Sequence, residues 1–149
     1  MKNLILFCCI IITVSCSTNN SSEPISNFTT QTITPILIGK GINSGAAIQS
    51  NFVITSQVNW LLLMDSLTSA NTSNFTETNI DFNNLQLLVA IDNTRPDTGY
   101  SINISTIIEN TTTITALVMS TNNGNGFSVL SRPFYIVKIP KSTKPVLFQ

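Results

Sequence analysis

Hydrophobic positions along the chain fall into three regimes. The first is an apolar run from Leu4 to Val14 behind a single cation, Lys2. It has the length of a secretory h-region and falls short of the about 20 residues that a membrane-spanning helix needs. The second is the polar stretch STNNSSEPISNFTTQTIT, Ser17 to Thr34, which has little to bury and reads as a flexible spacer. The third starts with Ile36 to Ile38, a short strand punctuated by Gly39, Gly41 and Gly45, and continues as a folded domain to Gln149.

Within that domain the period changes once. Ser56 to Leu67 predicts a helix: Ser56 is an N-cap residue, and Val58, Leu61, Leu62 and Asp65 recur at helical spacing. Trp60, Leu63, Met64 and Leu67 lie beside them, so apolar residues nearly surround the helix and predict that it is largely buried against a sheet. Trp60 is read as core. After the polar segment Ala70 to Thr78 the period becomes two. Gln86 to Ile91 is a nearly continuous apolar run, as in a central strand. Tyr100, Ile102, Ile104, Thr106 and Ile108 alternate with Ser101, Asn103, Ser105 and Ile107, and Ile114, Ala116 and Val118 alternate with Thr113, Thr115, Leu117 and Met119. With Glu109-Asn110 as the turn, these two segments predict an antiparallel hairpin. Phe134 to Ile139 is the last clear strand. The expected fold class is α+β: a single compact, β-rich domain over 36–149, with one N-terminal helix packed on a mainly antiparallel β-sheet.

Cysteine usage gives the N-terminus a meaning. Two of the three cysteines, Cys8 and Cys9, lie in the apolar run, and the third is Cys16 after the small residue Ser15. Ser15-Cys16 is where a lipoprotein signal ends, with cleavage before a cysteine that carries diacylglycerol. Cleavage there leaves a chain with no second cysteine for a disulfide, in an oxidising compartment where a bare thiol is a liability. We therefore expect a signal peptide over 1–15, lipidation of Cys16 and a tether over 16–35. Membrane contact is then through the lipid alone. Ser17 does not resemble an inner-membrane retention signal, so an outer-membrane address in the cell envelope is expected.

Charge narrows the partners. Seven basic and seven acidic residues sum to zero, and no basic run occurs, so nucleic acid is not an implied partner. Candidate chemistry is sparse as well. The chain has no histidine, which removes the commonest general base and metal ligand. The carboxylates are scattered without calcium-loop spacing. Asp92 and Asp97 flank a turn that contains Arg95 and are read as solvated loop charges. No catalytic residue, metal site or cofactor is expected.

Two loops stand out instead. Pro96-Asp97-Thr98-Gly99-Tyr100 sets a tight turn directly before the best strand. Asn123-Gly124-Asn125-Gly126-Phe127 frees the backbone shortly before Arg132-Pro133-Phe134-Tyr135. Arginine and aromatic residues at a rigid strand entrance are the types that dominate binding hot spots. The candidate protein-binding residues are therefore Pro96, Asp97, Thr98, Gly99, Tyr100, Arg132, Pro133, Phe134 and Tyr135.

The order of these segments carries a resemblance. Asp81-Phe82, the strand Leu87-Leu88-Val89-Ala90, the turn Pro96 to Ser101 and the closing run Pro133-Phe134-Tyr135-Ile136-Val137-Lys138-Ile139-Pro140 follow one another as in the protease complex subunit PrcB family. With Trp60 and its entry Val53 to Ser56, the likeness to that family's C-terminal domain spans roughly 41–140. Asp97-Thr98-Gly99 stands where the family more often has T-G-G. The resemblance implies a lipoprotein or secreted domain that acts as a non-catalytic, protein-binding accessory subunit of a surface protease complex. Three segments also resemble the binding loops of chagasin-like cysteine protease inhibitors: Asp97-Thr98-Gly99-Tyr100, Asn123 to Gly126 and Arg132-Pro133-Phe134. The second and third lie closer together here than such a sandwich places them. The alternatives are thus an inhibitor acting through Thr98–Tyr100 and Arg132–Phe134, or a structural envelope lipoprotein.

Overall fold

Two ways of burying a strand organise the structure, a computed structural model that describes residues 29–45, 49–67 and 69–149. The expected signal peptide, Cys16 and most of the expected tether lie outside the described residues. The chain runs β1 (Gln31–Ile33), β2 (Ile36–Gly41), β3 (Ser50–Ile54), α1 (Gln57–Ser66), α2 (Ser69–Thr72), β4 (Leu85–Ile91), β5 (Tyr100–Glu109), β6 (Ile114–Asn122), β7 (Phe134–Pro140) and β8 (Val146–Phe148). These strands form two four-stranded sheets, ordered β1-β5-β6-β8 and β2-β7-β4-β3. Every strand pair is antiparallel except β6 with β8.

The second sheet is covered on both faces. Along β4, Leu88 and Ala90 point towards the first sheet and meet Ile102, Ile104, Ile107, Ile114 and Ala116. The intervening Leu87, Val89 and Ile91 point the other way, into a core shared with Trp60, Leu63 and Leu67 of the helical segment. A strand with no solvent face needs apolar residues at every position, which is why β4 reads as a continuous run rather than an alternation. The first sheet has one buried face, and β5 and β6 accordingly alternate.

That alternation is not uniform. A bulge between Ile104 and Thr106 inserts one residue into β5 and reverses its phase. Ile102 and Ile104 are buried before it. Beyond it Ile107 is buried, and Ile108, which strict alternation would bury, is exposed. The hairpin closes through Asn110, whose Oδ1 accepts from the backbone N–H groups of Thr112 and Thr113.

Four expectations need correction. The helix is not N-terminal: three strands precede it. The strands form two sheets rather than one, because β1, β5, β6 and β8 pair only among themselves. The folded part begins inside the expected tether, since β1 pairs with β5 and buries Ile33. Finally, Phe134–Pro140 is not the last strand, because Val146–Phe148 returns parallel to β6.

The helix keeps its expected start. Ser56 is extended (φ −144°, ψ 151°) and its side chain accepts from the N–H of Asn59 at 3.4 Å. Its burial differs from expectation, because Val58, Leu61 and Leu62 are exposed. One sheet covers only one side of a helix, and Trp60, Leu63 and Leu67, at spacings of three and four, take that side. Trp60 is fully buried, stacks on Phe75 at 5.9 Å and donates its indole N–H to the Thr78 carbonyl at 2.8 Å. Trp60→Ala should therefore lower stability by about 3–5 kcal/mol. Leu61→Ser and Leu62→Ser should each stay within about 0.5 kcal/mol of the parent in the same urea denaturation series.

Candidate functional site

The candidate residues gather at one end of the two sheets, and their arrangement begins with Asp92. It follows the last residue of β4 and is almost fully buried, so its charge must be met on the spot. Arg95 meets it from three residues on, with Nε donating to Oδ2 at 2.9 Å and a terminal N–H to Oδ1 at 2.8 Å. The Ser120 hydroxyl donates to Oδ2 at 2.6 Å, and the backbone N–H of Asn93 donates to Oδ1 at 2.7 Å. Since Ser120 belongs to β6, the carboxylate ties the end of one sheet to the other. The guanidinium of Arg95 also lies over the Tyr100 ring, 4.8 Å from its centre. The solvated reading of Asp92 is thus overturned: it is buried and paired, while Asp97 makes no ion pair with Arg95.

Asp97 has a local task. Its Oδ1 accepts from the N–H of Gly99 at 2.7 Å, closing the turn that aims Tyr100 into β5. The turn is then fastened to the loop that follows β6. The N–H of Thr98 donates to the Phe127 carbonyl at 3.1 Å, and the N–H of Phe127 returns to Thr98 Oγ1 at 2.9 Å. Asn123 donates to the Gly99 carbonyl at 3.0 Å. The approach requires Gly126: a Cβ there would stand 2.1 Å from the Gly99 nitrogen. Gly124 takes φ +71°, which favours glycine.

A third segment joins them. Arg95 and Ser131 exchange backbone hydrogen bonds at 2.8 and 3.0 Å, and the Ser131 hydroxyl donates to the Asp97 carbonyl at 2.5 Å. Arg132 donates its backbone N–H to the Ile42 carbonyl at 2.7 Å, and its guanidinium donates to the Thr94 hydroxyl. The structure thus brings Asp97, Thr98, Gly99, Tyr100 and Arg132 to one end, half-buried, with Pro96 exposed beside them.

It separates the other three. Phe134 is fully buried in the core with Trp60, and Pro133 is buried while its carbonyl accepts from the Asp92 N–H. Tyr135 packs on the core between the sheets. The reason is register: Phe134 opens β7 opposite Ile91 of the doubly covered sheet, so it faces inward. These three residues support the site from beneath.

The surface itself is made by residues that sequence reasoning passed over. Phe127, Val129 and Leu130 are 80, 60 and 72% exposed, side by side in a loop whose backbone is tied down at both ends. The available signal was three large apolar residues, without strand period, directly after a Gly/Asn loop.

The polar groups at this end chiefly satisfy one another. Asp92 carries four hydrogen bonds, and among the described residues no three His, Cys, Asp or Glu side chains cluster as metal ligands. No helix among the described residues is long and apolar enough to cross a membrane.

The Asp92 network makes stability depend on pH. Burial alone would raise the carboxyl pKa, but the hydrogen bonds from Arg95, Ser120 and the Asn93 N–H, with the Arg95 charge, outweigh it and hold the pKa below its ordinary 3.8. A group depressed in the folded state contributes stability that is present above pH 3.8 and is lost as pH falls through the folded value. Asp92→Asn should cost about 2–3 kcal/mol at pH 7, by leaving Arg95 and Ser120 without their acceptor. Urea denaturation from pH 7 to pH 2 should show the difference between variant and parent shrinking at the acid end. No family model, curated protein or solved structure matches the chain.

Proposed function

We propose that this chain is a non-catalytic lipoprotein of the cell envelope that binds another protein through the loop end of its β-sandwich. The observation that carries the reading is the exposure of Phe127, Val129 and Leu130 on a backbone fastened to the Thr98–Gly99 turn. Exposed apolar residues on a mobile tail would be ordinary. Placed on a pre-shaped loop, they offer area to a partner without the cost of ordering it. Tyr100, Arg95 and Arg132 beside them supply the residue types found at binding hot spots.

The sequence likeness to the protease complex subunit PrcB family supports a particular role, that of an accessory subunit of an envelope protease, with the lipid on Cys16 as membrane anchor. The gathering of Thr98–Tyr100, Gly124–Gly126 and Arg132 at one end favours a second reading, a convergent protease-inhibiting surface. On that reading the same loops enter a protease cleft.

Both readings meet in one experiment: affinity capture with the full chain from the solubilised envelope of its own cell. The wild-type chain should retain a stoichiometric protease, and Phe127→Ser or Leu130→Ser should each reduce retention roughly tenfold with the fold intact by circular dichroism. The activity of the retained protease then separates support from inhibition. Undiminished capture by both variants would remove the loop end from the interface.

A further inference from the structure

Next to the exposed loop, the mouth between the two sheets opens into a cleft of about 250 Å³. It is lined by Ile42, just beyond β2, and by Tyr100, Ser101 and Ile102 from the start of β5, with Gly41 and Phe134 completing the lining. Lys40 stands at its rim. Lys40 is exposed; in register it lies opposite Tyr135, on the side of the edge strand β2 that is turned towards the first sheet. Among the described residues its side chain makes no hydrogen bond or ion pair. The other described cations are all engaged: Arg95 with Asp92, Lys138 with Glu77, Lys144 with Glu109, Arg132 with Thr94 and Lys141 with the Phe82 carbonyl. An apolar cleft with one uncompensated positive charge at its lip is complementary to a ligand that has an apolar body and an anionic end.

Size decides which ligand. The cleft lies below the roughly 300–1,000 Å³ of small-molecule sites and suits a single inserted side chain. Only the last residue of a polypeptide carries an apolar side chain and a carboxylate on the same Cα. We infer that the cleft receives the C-terminal residue of a partner protein, side chain inward against Tyr100 and Ile102, with its carboxylate on Lys40. The inference rests on the protein-binding reading above and specifies how the partner is anchored. Capture of a free carboxylate by a single lysine is screened at the rim, which limits its worth to about 1 kcal/mol, or about fivefold in affinity.

The test uses the full chain in detergent micelles and the peptide Gly-Ser-Gly-Ser-Phe, as the free acid and as the C-terminal amide. The acid should bind at ~0.1–1 mM, perturbing the amide signals of Lys40, Ile42, Tyr100 and Ile102, and the amide should bind about fivefold more weakly. Lys40→Met should erase the difference between acid and amide, and Lys40→Glu should invert it, so that the amide binds more tightly than the acid. Phe127→Ser should leave peptide binding unchanged, which separates this site from the loop. A lysine on an edge strand also discourages edge-to-edge pairing of strands. If that is its only role, acid and amide bind alike and charge reversal changes nothing, which overturns the inference. Absence of binding up to about 5 mM overturns it as well. Capture that depends on Phe127 and Leu130, alongside peptides that fail to bind, would sink the anchor and leave the loop interface standing. Peptide binding as expected with capture indifferent to the loop variants would do the reverse.

Discussion

The double burial of β4 governs what happens at the loop end. Leu87, Val89 and Ile91 are committed to the helical side and Leu88 and Ala90 to the other sheet, so the strand has no face left for water. Its successor Asp92 therefore emerges into a space that is still closed on two sides. A carboxylate in such a place must be met at once by donors, and the chain turns back so that Arg95 and the Asn93 N–H can reach it. The turn at Asp97 and the exchange of hydrogen bonds between Arg95 and Ser131 both follow from that reversal. The loops at this end are consequences of how the central strand is packed.

Two kinds of interaction share the work. Apolar contacts fix where β4 and β7 lie, since Ile91 pairs with Phe134 in register and both face Trp60's side of the sheet. Polar contacts then fix the loops, because each turn is closed by a side chain of the opposite segment: Thr98 for Phe127, Ser131 for Asp97, Ser120 for Asp92. The helix approaches that end only through the carbonyl of its last residue, which lies against Gly45. Its role is to cover the far face of the second sheet, for which Trp60, Leu63 and Leu67 suffice.

Much of this architecture is legible in the sequence, for a physical reason. A strand covered on both faces and a strand covered on one leave different periods, and β4, β5 and β6 carry them plainly. What escapes reading has no period. Gln31 to Ile33 and Val146 to Phe148 are three-residue strands that exist because a neighbour offers hydrogen bonds. The bulge in β5 is a shift of phase that Ile107 and Ile108, as adjacent isoleucines, conceal. Leu61 and Leu62 read as buried because an all-round apolar helix ordinarily is, and only the number of covering layers corrects it. At the loop end, Arg132 to Tyr135 attract attention by residue type, yet register sends Phe134 into the core and leaves the surface to Phe127, Val129 and Leu130. Residue type is visible in a sequence, and which side of a strand it occupies depends on register with a neighbouring strand.

The bond from Ser120 to Asp92 has a kinetic side. It joins β6 of one sheet to the end of β4 of the other, at the mouth where two packed sheets would most easily part. That bond fastens the two sheets to each other at the loop end. On the protein-binding reading proposed above, docking there would be a rigid-body event, without a slow opening step ahead of it or a folding step behind it. On that reading, natural variation at this surface would be felt in how long a complex survives more than in how fast it forms.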